Sequence, residues 1–245
     1  MPVQRPRVRL LHTADIHLGD DYDPRRRMAG LEAVVNAALA LQVDCLVVAG
    51  DFFDNIRLSD STVEKALEQL KRLDLPIVIA PGNHDCLDDN SIYRRVDLSR
   101  AGDHVRLIQQ PAGEHVLLHD LSLAVWARAM VDHHPGNRPL EGYTPGPSGY
   151  WNVVLAHGHF FATADDLRRS SLIRREDIAQ LECSYLALGH WHRFLDVSAN
   201  GVPAFYSGSP SEAGGSFPSA NLVTLDPASG MSLQRVRLDD GFSPR

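Results

Sequence analysis

The chain of 245 residues is 44% hydrophobic and carries a net charge of −7, enough apolar material for a full core. That acidity argues against the broad basic surface of a protein that grips long nucleic acid through many phosphates. The arginine-bearing N-terminal stretch precedes no long apolar run, so it reads as neither secretory signal nor membrane anchor; together with three widely spaced cysteines, Cys45, Cys86 and Cys183, this predicts reduced thiols and a cytoplasmic location.

In chain order, residues 7–13 predict a strand that stops at Asp15-Ile16-His17. Met28, Leu31, Val34, Val35, Ala38 and Leu39 then recur at helical spacing, and the apolar run 43–49 predicts a second strand ending at Gly50-Asp51. Ser61-Thr62-Val63-Glu64 has the form of a capping box, continued as a helix by Val63, Ala66, Leu67, Leu70 and Leu73. Residues 76–80 form a third predicted strand, ahead of Gly82-Asn83-His84-Asp85. Residues 105–108, 115–118 and 121–126 alternate as short strands. The Pro- and Gly-rich stretch 132–150 is too long for a simple connection and reads as either a lid or a mobile surface loop. Residues 151–156 predict a strand ending at His157-Gly158-His159, 165–181 a helix, and 185–188 a strand ending at Gly189-His190-Trp191-His192. Segments 194–197, 204–206, 222–225 and 233–238 complete the list, and these shorter runs read as antiparallel strands and hairpins.

The intervals Asp15 to Asp51, Asp51 to Asn83 and His157 to His190 each match one βαβ unit of about 30 residues. Parallel strands place their C-terminal ends along one edge, so these motifs are expected to converge. The fold class expected is α/β, two mixed sheets packed face to face with helices outside.

The converging residue types suit metal binding. Oxygen donors from Asp15, Asp51 and Asn83, mixed with the imidazoles of His17, His157, His190 and His192, suit Mn²⁺, Fe²⁺ or Zn²⁺ and suffice for two ions. Two ions about 3.5–4 Å apart serve in-line attack at phosphorus. Asp15 and His17 share a face if extended, as do His190 and His192. Asn83 binds without cancelling charge, so two divalent ions against two aspartates leave a cationic focus for a phosphate in an acidic protein. His84 stands ready to protonate a leaving oxygen or to stabilise charge developing on phosphorus, with Asp85 or Asp54 to orient it. His157 is preferred over His159, which is left as a contact outside the ligand set, because His157 directly ends its strand. His12, His104, His115, His119, His133 and His134 fall outside the pattern and read mostly as ordinary surface or strand residues, with His133-His134 within reach if the 132–150 loop closes as a lid. Arg25, Arg26, Arg27 and Arg193 are either phosphate clamps or solvated. Phe160, Phe161, Trp191 and Tyr206 either stack a nucleobase or belong to the core.

The five motifs together resemble those of the calcineurin-like metallophosphoesterase superfamily. His12-Thr13-Ala14-Asp15-Ile16-His17-Leu18-Gly19, Ala187-Leu188-Gly189-His190-Trp191-His192 and Tyr206-Ser207-Gly208-Ser209-Pro210 are similar to the nuclease subunit of double-strand-break repair complexes and its bacterial exonuclease relatives. This resemblance implies a four-layer α/β/β/α sandwich. It implies one ion on Asp15, His17, Asp51 and His192, the other on Asp51, Asn83, His157 and His190, Mn²⁺ as the usual metal, and His84 as the catalytic residue. Repair nucleases add a C-terminal capping region and an ATPase-docking segment. The stretch after Pro210 is short, so a single catalytic domain over residues 1–245 is expected, without the cap and with no ATPase partner. The expected activity is hydrolysis of nucleotide or nucleic-acid phosphodiesters, DNA ends included, by a metal-bridging hydroxide. The alternatives are a phosphomonoesterase, a cyclic-nucleotide or dinucleotide phosphodiesterase, and a non-catalytic scaffold.

Overall fold

The computed structural model describes residues 5–161, 169–211 and 217–238. Its first half alternates strand and helix: β1 (Val8–Thr13), α1 (Pro24–Ala40), β2 (Cys45–Ala49), α2 (Asp60–Lys71), β3 (Ile77–Ala80) and β4 (Val105–Leu107). Strands β1 to β4 run parallel. There follow β5 (Glu114–Leu118), β6 (Leu123–Ala127), β7 (Trp151–His157), β8 (His159–Phe161), β9 (Leu172–Arg174), α3 (Arg175–Ala179), β10 (Tyr185–Gly189), β11 (Phe194–Asp196), β12 (Ala204–Ser207), β13 (Ser219–Asp226) and β14 (Gly230–Arg237). The first sheet has the order β14-β13-β1-β2-β3-β4 and the second β11-β12-β10-β7-β6-β5.

Both sheets are mixed and pack face to face. Leu10, Val47 and Val78 of the first meet Val153, Leu155 and Ala187 of the second in a shared interior. Strands buried on both faces need continuous apolar runs rather than alternation, which is why β2 and β3 read as Cys-Leu-Val-Val-Ala and Ile-Val-Ile-Ala. Helices α1 and α2 cover the outer face of the first sheet through Leu31, Val34, Val35, Val63, Leu67 and Leu70. Helix α1 opens on Asp23, whose carboxylate accepts the Arg26 N–H, with Pro24 in the first turn, a position where proline loses no hydrogen bond.

Several details differ from the sequence expectations. Leu39 shares the helical spacing yet faces solvent. Helix α2 is capped by Ser59, whose hydroxyl accepts the Thr62 N–H, rather than opening at Ser61; the Ser59 side chain satisfies an orphan donor of a helix that starts earlier than expected. The helix expected over 165–181 is confined, among the described residues, to α3, and a strand pair unforeseen from sequence, β8 with β9, accompanies it. Residues 165–168 lie outside the described residues. The expected antiparallel pairings are found for β5 with β6, β11 with β12 and β13 with β14, but β6 and β12 also run parallel to β7 and β10 on their other sides, and β4 is parallel to β3. The loop 132–150 is fastened to the outer side of the second sheet by Asn137 donating to Ser171 Oγ at 2.8 Å, Tyr143 donating to the Glu182 carbonyl at 2.8 Å and the Arg128–Glu141 ion pair at 2.9 Å.

Candidate metal centre

Parallel pairing brings the ends of β1, β2 and β3 to one rim of the first sheet, and the ends of β7 and β10 to the facing rim of the second. The loop after β1 is zipped to the loop after β2: Asp15 N–H donates to the Gly50 carbonyl at 3.1 Å and His17 N–H to the Asp51 carbonyl at 3.0 Å. Two glycines let the sheets close here. Gly50 has φ +89 with the His157 imidazole where a Cβ would be, and a Cβ on Gly189 would collide with the Ala49 carbonyl. Any side chain at either place would push the two rims apart.

The structure gathers all seven residues expected to hold metal. His157 Nδ1 lies 2.9 Å from the Ala49 carbonyl, which can only accept, so Nδ1 carries the proton and Nε2 turns inward. That Nε2 lies 3.0 Å from Asn83 Oδ1 and 3.2 Å from Asp51 Oδ2. His190 Nδ1 is 3.1 Å from the same Asn83 oxygen. On the other side, His17 Nδ1 donates to Asp54 Oδ1 at 2.9 Å, and its Nε2 faces His192 Nε2 at 3.2 Å and Asp51 Oδ2 at 3.7 Å. Asp15 is fully buried, and its carboxylate receives the His190 N–H at 3.0 Å. Asp15, His17 and His192 form one group whose ligand atoms all lie within 4.8 Å of one another, and Asp15, Asp51 and His157 form a second.

Charge explains the need for a cation. Burial opposes a proton on His157, yet the Asp51 carboxylate outweighs it and pushes the imidazole up to about 9. Against the cost of its own burial, Asp51 is held well below the usual carboxylate range by His157. Burial pushes Asp15 up despite the neighbouring imidazoles. The carboxylates at this ring of inward lone pairs thus favour positive charge, and a divalent ion carries twice the charge of a proton and shares it among more donors. The donor set of imidazole, carboxylate and amide oxygen fits such ions. Spacings near 3 Å also match the edge of a coordination polyhedron with bonds of about 2.1 Å.

His84 sits at the open side of this cluster, its side chain 43% exposed. Its N–H donates to Asp51 Oδ1 at 2.9 Å, and its Nδ1 lies 3.0 Å from the Asp54 carbonyl and 3.3 Å from Asp54 Oδ1. Asp54 therefore orients both His17 and His84. Asp85, the other candidate for that task, does something else. Buried, it accepts N–H groups from Phe52 at 2.9 Å, Phe53 at 3.1 Å and Gly82 at 2.7 Å, and the Tyr93 hydroxyl at 2.6 Å. It joins the loop after β2 to the loop after β3, a role its place beside His84 in sequence does not disclose.

The remaining candidates separate clearly. His159 packs its ring 5.1 Å from Trp191 and 5.9 Å from His190 and, among the described residues, is in none of the carboxylate–imidazole groups. His133 is lowered by burial and then by the charge of His157, which places the start of the 132–150 loop within electrostatic reach of the centre. Arg27 is committed to Asp20 and Ser211, Arg25 and Arg26 are exposed at the start of α1, and Arg193 stacks on Trp191 at 4.7 Å. Tyr206 is core, its hydroxyl on the Gly158 carbonyl.

Comparison with known proteins agrees with this geometry. The chain is 24% identical to SbcD, a component of the nuclease SbcCD of Bacillus subtilis, covering 96% of this chain and 70% of that one. It is 27% identical to the DNA double-strand break repair protein Mre11 of Methanopyrus kandleri, covering 83% of this chain and 49% of that protein, so it spans about half the length of such archaeal relatives. Among solved structures, TT1561 of Thermus thermophilus superimposes with a TM-score of 0.60 at 12% identity over 95% of this chain and 100% of that one. Purple acid phosphatase PPD1 of yellow lupin gives 0.61 at 13% identity over 98% of this chain and 53% of that one; both likenesses show the fold. The model of the calcineurin-like phosphoesterase family matches residues 8–194, and the chain belongs to that family of phosphoester hydrolases.

Proposed function

We propose that the protein hydrolyses phosphodiesters of nucleotides or nucleic acids at a centre of two divalent ions, Mn²⁺ first among them, with residues 1–245 acting as one catalytic domain. The observation that carries this is the convergence of seven lone-pair donors from both sheets on one rim, with His84 exposed beside them. Asp15, His17 and His192 would hold one ion, Asn83, His157 and His190 the other, and Asp51 both. Bound there, two such ions supply a water-derived nucleophile at neutral pH and offset the charge that builds at phosphorus. The chain's own residues do the rest. His84, held at Nδ1 by Asp54, presents Nε2 outward and delivers a proton from that atom to the departing alcohol oxygen. His17 and His157 keep their Nδ1 protons on Asp54 and Ala49, which fixes the tautomer that turns Nε2 inward.

Preference for diesters, and for nucleic-acid ends in particular, is supported by likeness to proteins named for nuclease activity and for break repair. A cytoplasmic setting accords with free thiols at Cys45, Cys86 and Cys183, and no described helix is long and apolar enough to cross a membrane. The name SbcCD denotes a relative that works as a subunit of a nuclease.

Metal-stripped protein reloaded with Mn²⁺ is expected to turn over bis-p-nitrophenyl phosphate faster than p-nitrophenyl phosphate. Asp51→Asn should abolish this, and His84→Ala should lower kcat by about 10²–10⁴ with both ions retained. Monoester preference would redirect the assignment to a phosphatase. No turnover of either ester under Mn²⁺, Fe²⁺ or Zn²⁺ would refute the hydrolytic role.

A further inference from the structure

Ser209 lies in the Tyr206-Ser207-Gly208-Ser209-Pro210 stretch, a motif to which the ligand set assigns no task, and its side chain is fully buried. Its hydroxyl donates to the Asp15 carbonyl at 2.7 Å, and its backbone N–H reaches the His192 carbonyl at 3.4 Å. These two segments come from different sheets, one following β1 and the other following β10. Asp15 and His192 nevertheless belong, with His17, to the same group of ligand atoms. One residue therefore grips the main chain of both ligands at the place where the two rims must stay in register.

Asp15 has a particular need of such a hold. Its φ is 56, in the left-handed region that is costly for a residue bearing a Cβ. Its N–H is bonded to Gly50 and its carboxylate to the His190 N–H; its carbonyl is the remaining strong polar group, and Ser209 satisfies it. Ser209 is braced in turn. Ser211 N–H donates to Ser209 Oγ at 3.3 Å, Arg27 donates to Ser211 Oγ at 2.8 Å, and Arg27 is anchored on Asp20 at 2.9 Å. The Ser219 N–H closes on the Ser209 carbonyl at 3.2 Å. The opposite half of the centre is held differently, by His157 on the Ala49 carbonyl at 2.9 Å.

We infer that Ser209 is a positioning residue that sets the gap between Asp15 and His192, so that the ion on the Asp15–His17–His192 side depends on it more strongly than the ion on the Asn83–His157–His190 side, which Asp15 touches only through the His190 N–H and the Asp51–His157 group. This rests on the two-ion reading above, extended to the order in which the ions would be lost.

The test is a calorimetric titration of metal-stripped protein with Mn²⁺, comparing wild type with Ser209→Ala and Ser209→Cys. The Cys variant keeps the shape of the site and exchanges a strong donor for a weak one. Asp226→Ala serves as a stability control: it removes the carboxylate that accepts the Ala228 N–H at 2.8 Å and the Ser229 N–H at 3.1 Å in the β13–β14 turn, at the end of the sheet away from the centre. The expected result is that wild type and Asp226→Ala each bind two ions with the same pair of affinities. Both Ser209 variants should bind one ion nearly as wild type does and the other about tenfold or more weakly, the usual effect of removing a group that orients a ligand. Two undiminished sites in the Ser209 variants, or equal weakening of both, would overturn the assignment while leaving the two-ion reading intact. Fewer than two ions in wild type would bring down both.

Discussion

Asp15, His17, Asp51 and His190 have φ angles of 56, 55, 54 and 105, all in a region that side chains other than glycine seldom occupy. Each such residue costs on the order of 1–2 kcal/mol, and here the cost is offset by bonds between the loops and by whatever cation the carboxylates and imidazoles share. The positive φ turns each side chain back over the sheet rim instead of letting it continue along the strand, which is how two residues as close as Asp15 and His17 serve one cluster. His12, three residues upstream, is a contrasting case. It is fully buried on the inner face, with Nδ1 2.9 Å from the Tyr185 hydroxyl, and burial pushes it from its ordinary 6.5 down to about 3. Because the folded pKa is depressed, the folded chain resists a proton that the unfolded chain accepts, so stability is lost as pH falls from about 6.5 toward 3. Urea unfolding of metal-free wild type against His12→Gln is expected to show wild type losing ground progressively below pH 6.5. A difference that does not change with pH would show that folding leaves the titration of His12 unshifted. In the sequence His12 reads as an ordinary surface or strand histidine; its isolation from solvent depends on a tyrosine 173 positions away.

At the scale of elements, the main device is a pair of sheets whose parallel strands all end on the same rim. The two sheets are joined by more than apolar contact. His12 of β1 is the register partner of Asn221 in β13, and the hydroxyl of Tyr185 from β10 meets both, at 2.9 Å and 3.4 Å. Removing that hydroxyl leaves two buried polar groups without a partner, so Tyr185→Phe is expected to lower the unfolding free energy by about 1–3 kcal/mol. Equilibrium denaturation measures this directly, and an unchanged midpoint would mean the bridge contributes nothing. The boundaries of β2, β3 and β10 were legible from their continuous apolar runs because strands covered on both sides leave few polar positions, and those of β1 and β7 from runs that are largely apolar despite Arg9, His12 and Asn152 up to the motif that ends each. The parallel pairings of β4, β6 and β12 were not, since an alternating segment looks the same whether its neighbour runs with it or against it. The 165–181 segment misled for a related reason: an apolar spacing compatible with a helix is satisfied by β9 followed by one short helical turn, and the choice is made by what the sheet beneath it requires.

For the whole molecule, an acidic chain concentrates its imidazoles and three buried carboxylates, Asp15, Asp51 and Asp85, around one rim. Folding without cations leaves that rim electrostatically strained, whereas ions bound only by the folded form stabilise it by mass action. Addition of Mn²⁺ to metal-stripped protein at a hundredfold excess over Kd is expected to raise the unfolding free energy by about 2.7 kcal/mol for each site filled, reversed by chelator. A melting temperature indifferent to Mn²⁺, Fe²⁺ and Zn²⁺ would exclude a metal centre built from these residues. By itself, the order of residues determined the strands, the ligand types that follow them and the recurrence of both at βαβ spacing, because apolar periodicity and turn chemistry are local properties of a chain. Only the tertiary structure decided that Asp54 serves two histidines, that Asp85 braces loops instead of His84, and that Ser209 spans the two rims. Those outcomes depend on which atoms come within about 3 Å across long stretches of chain, a distance set by the packing of one sheet on the other.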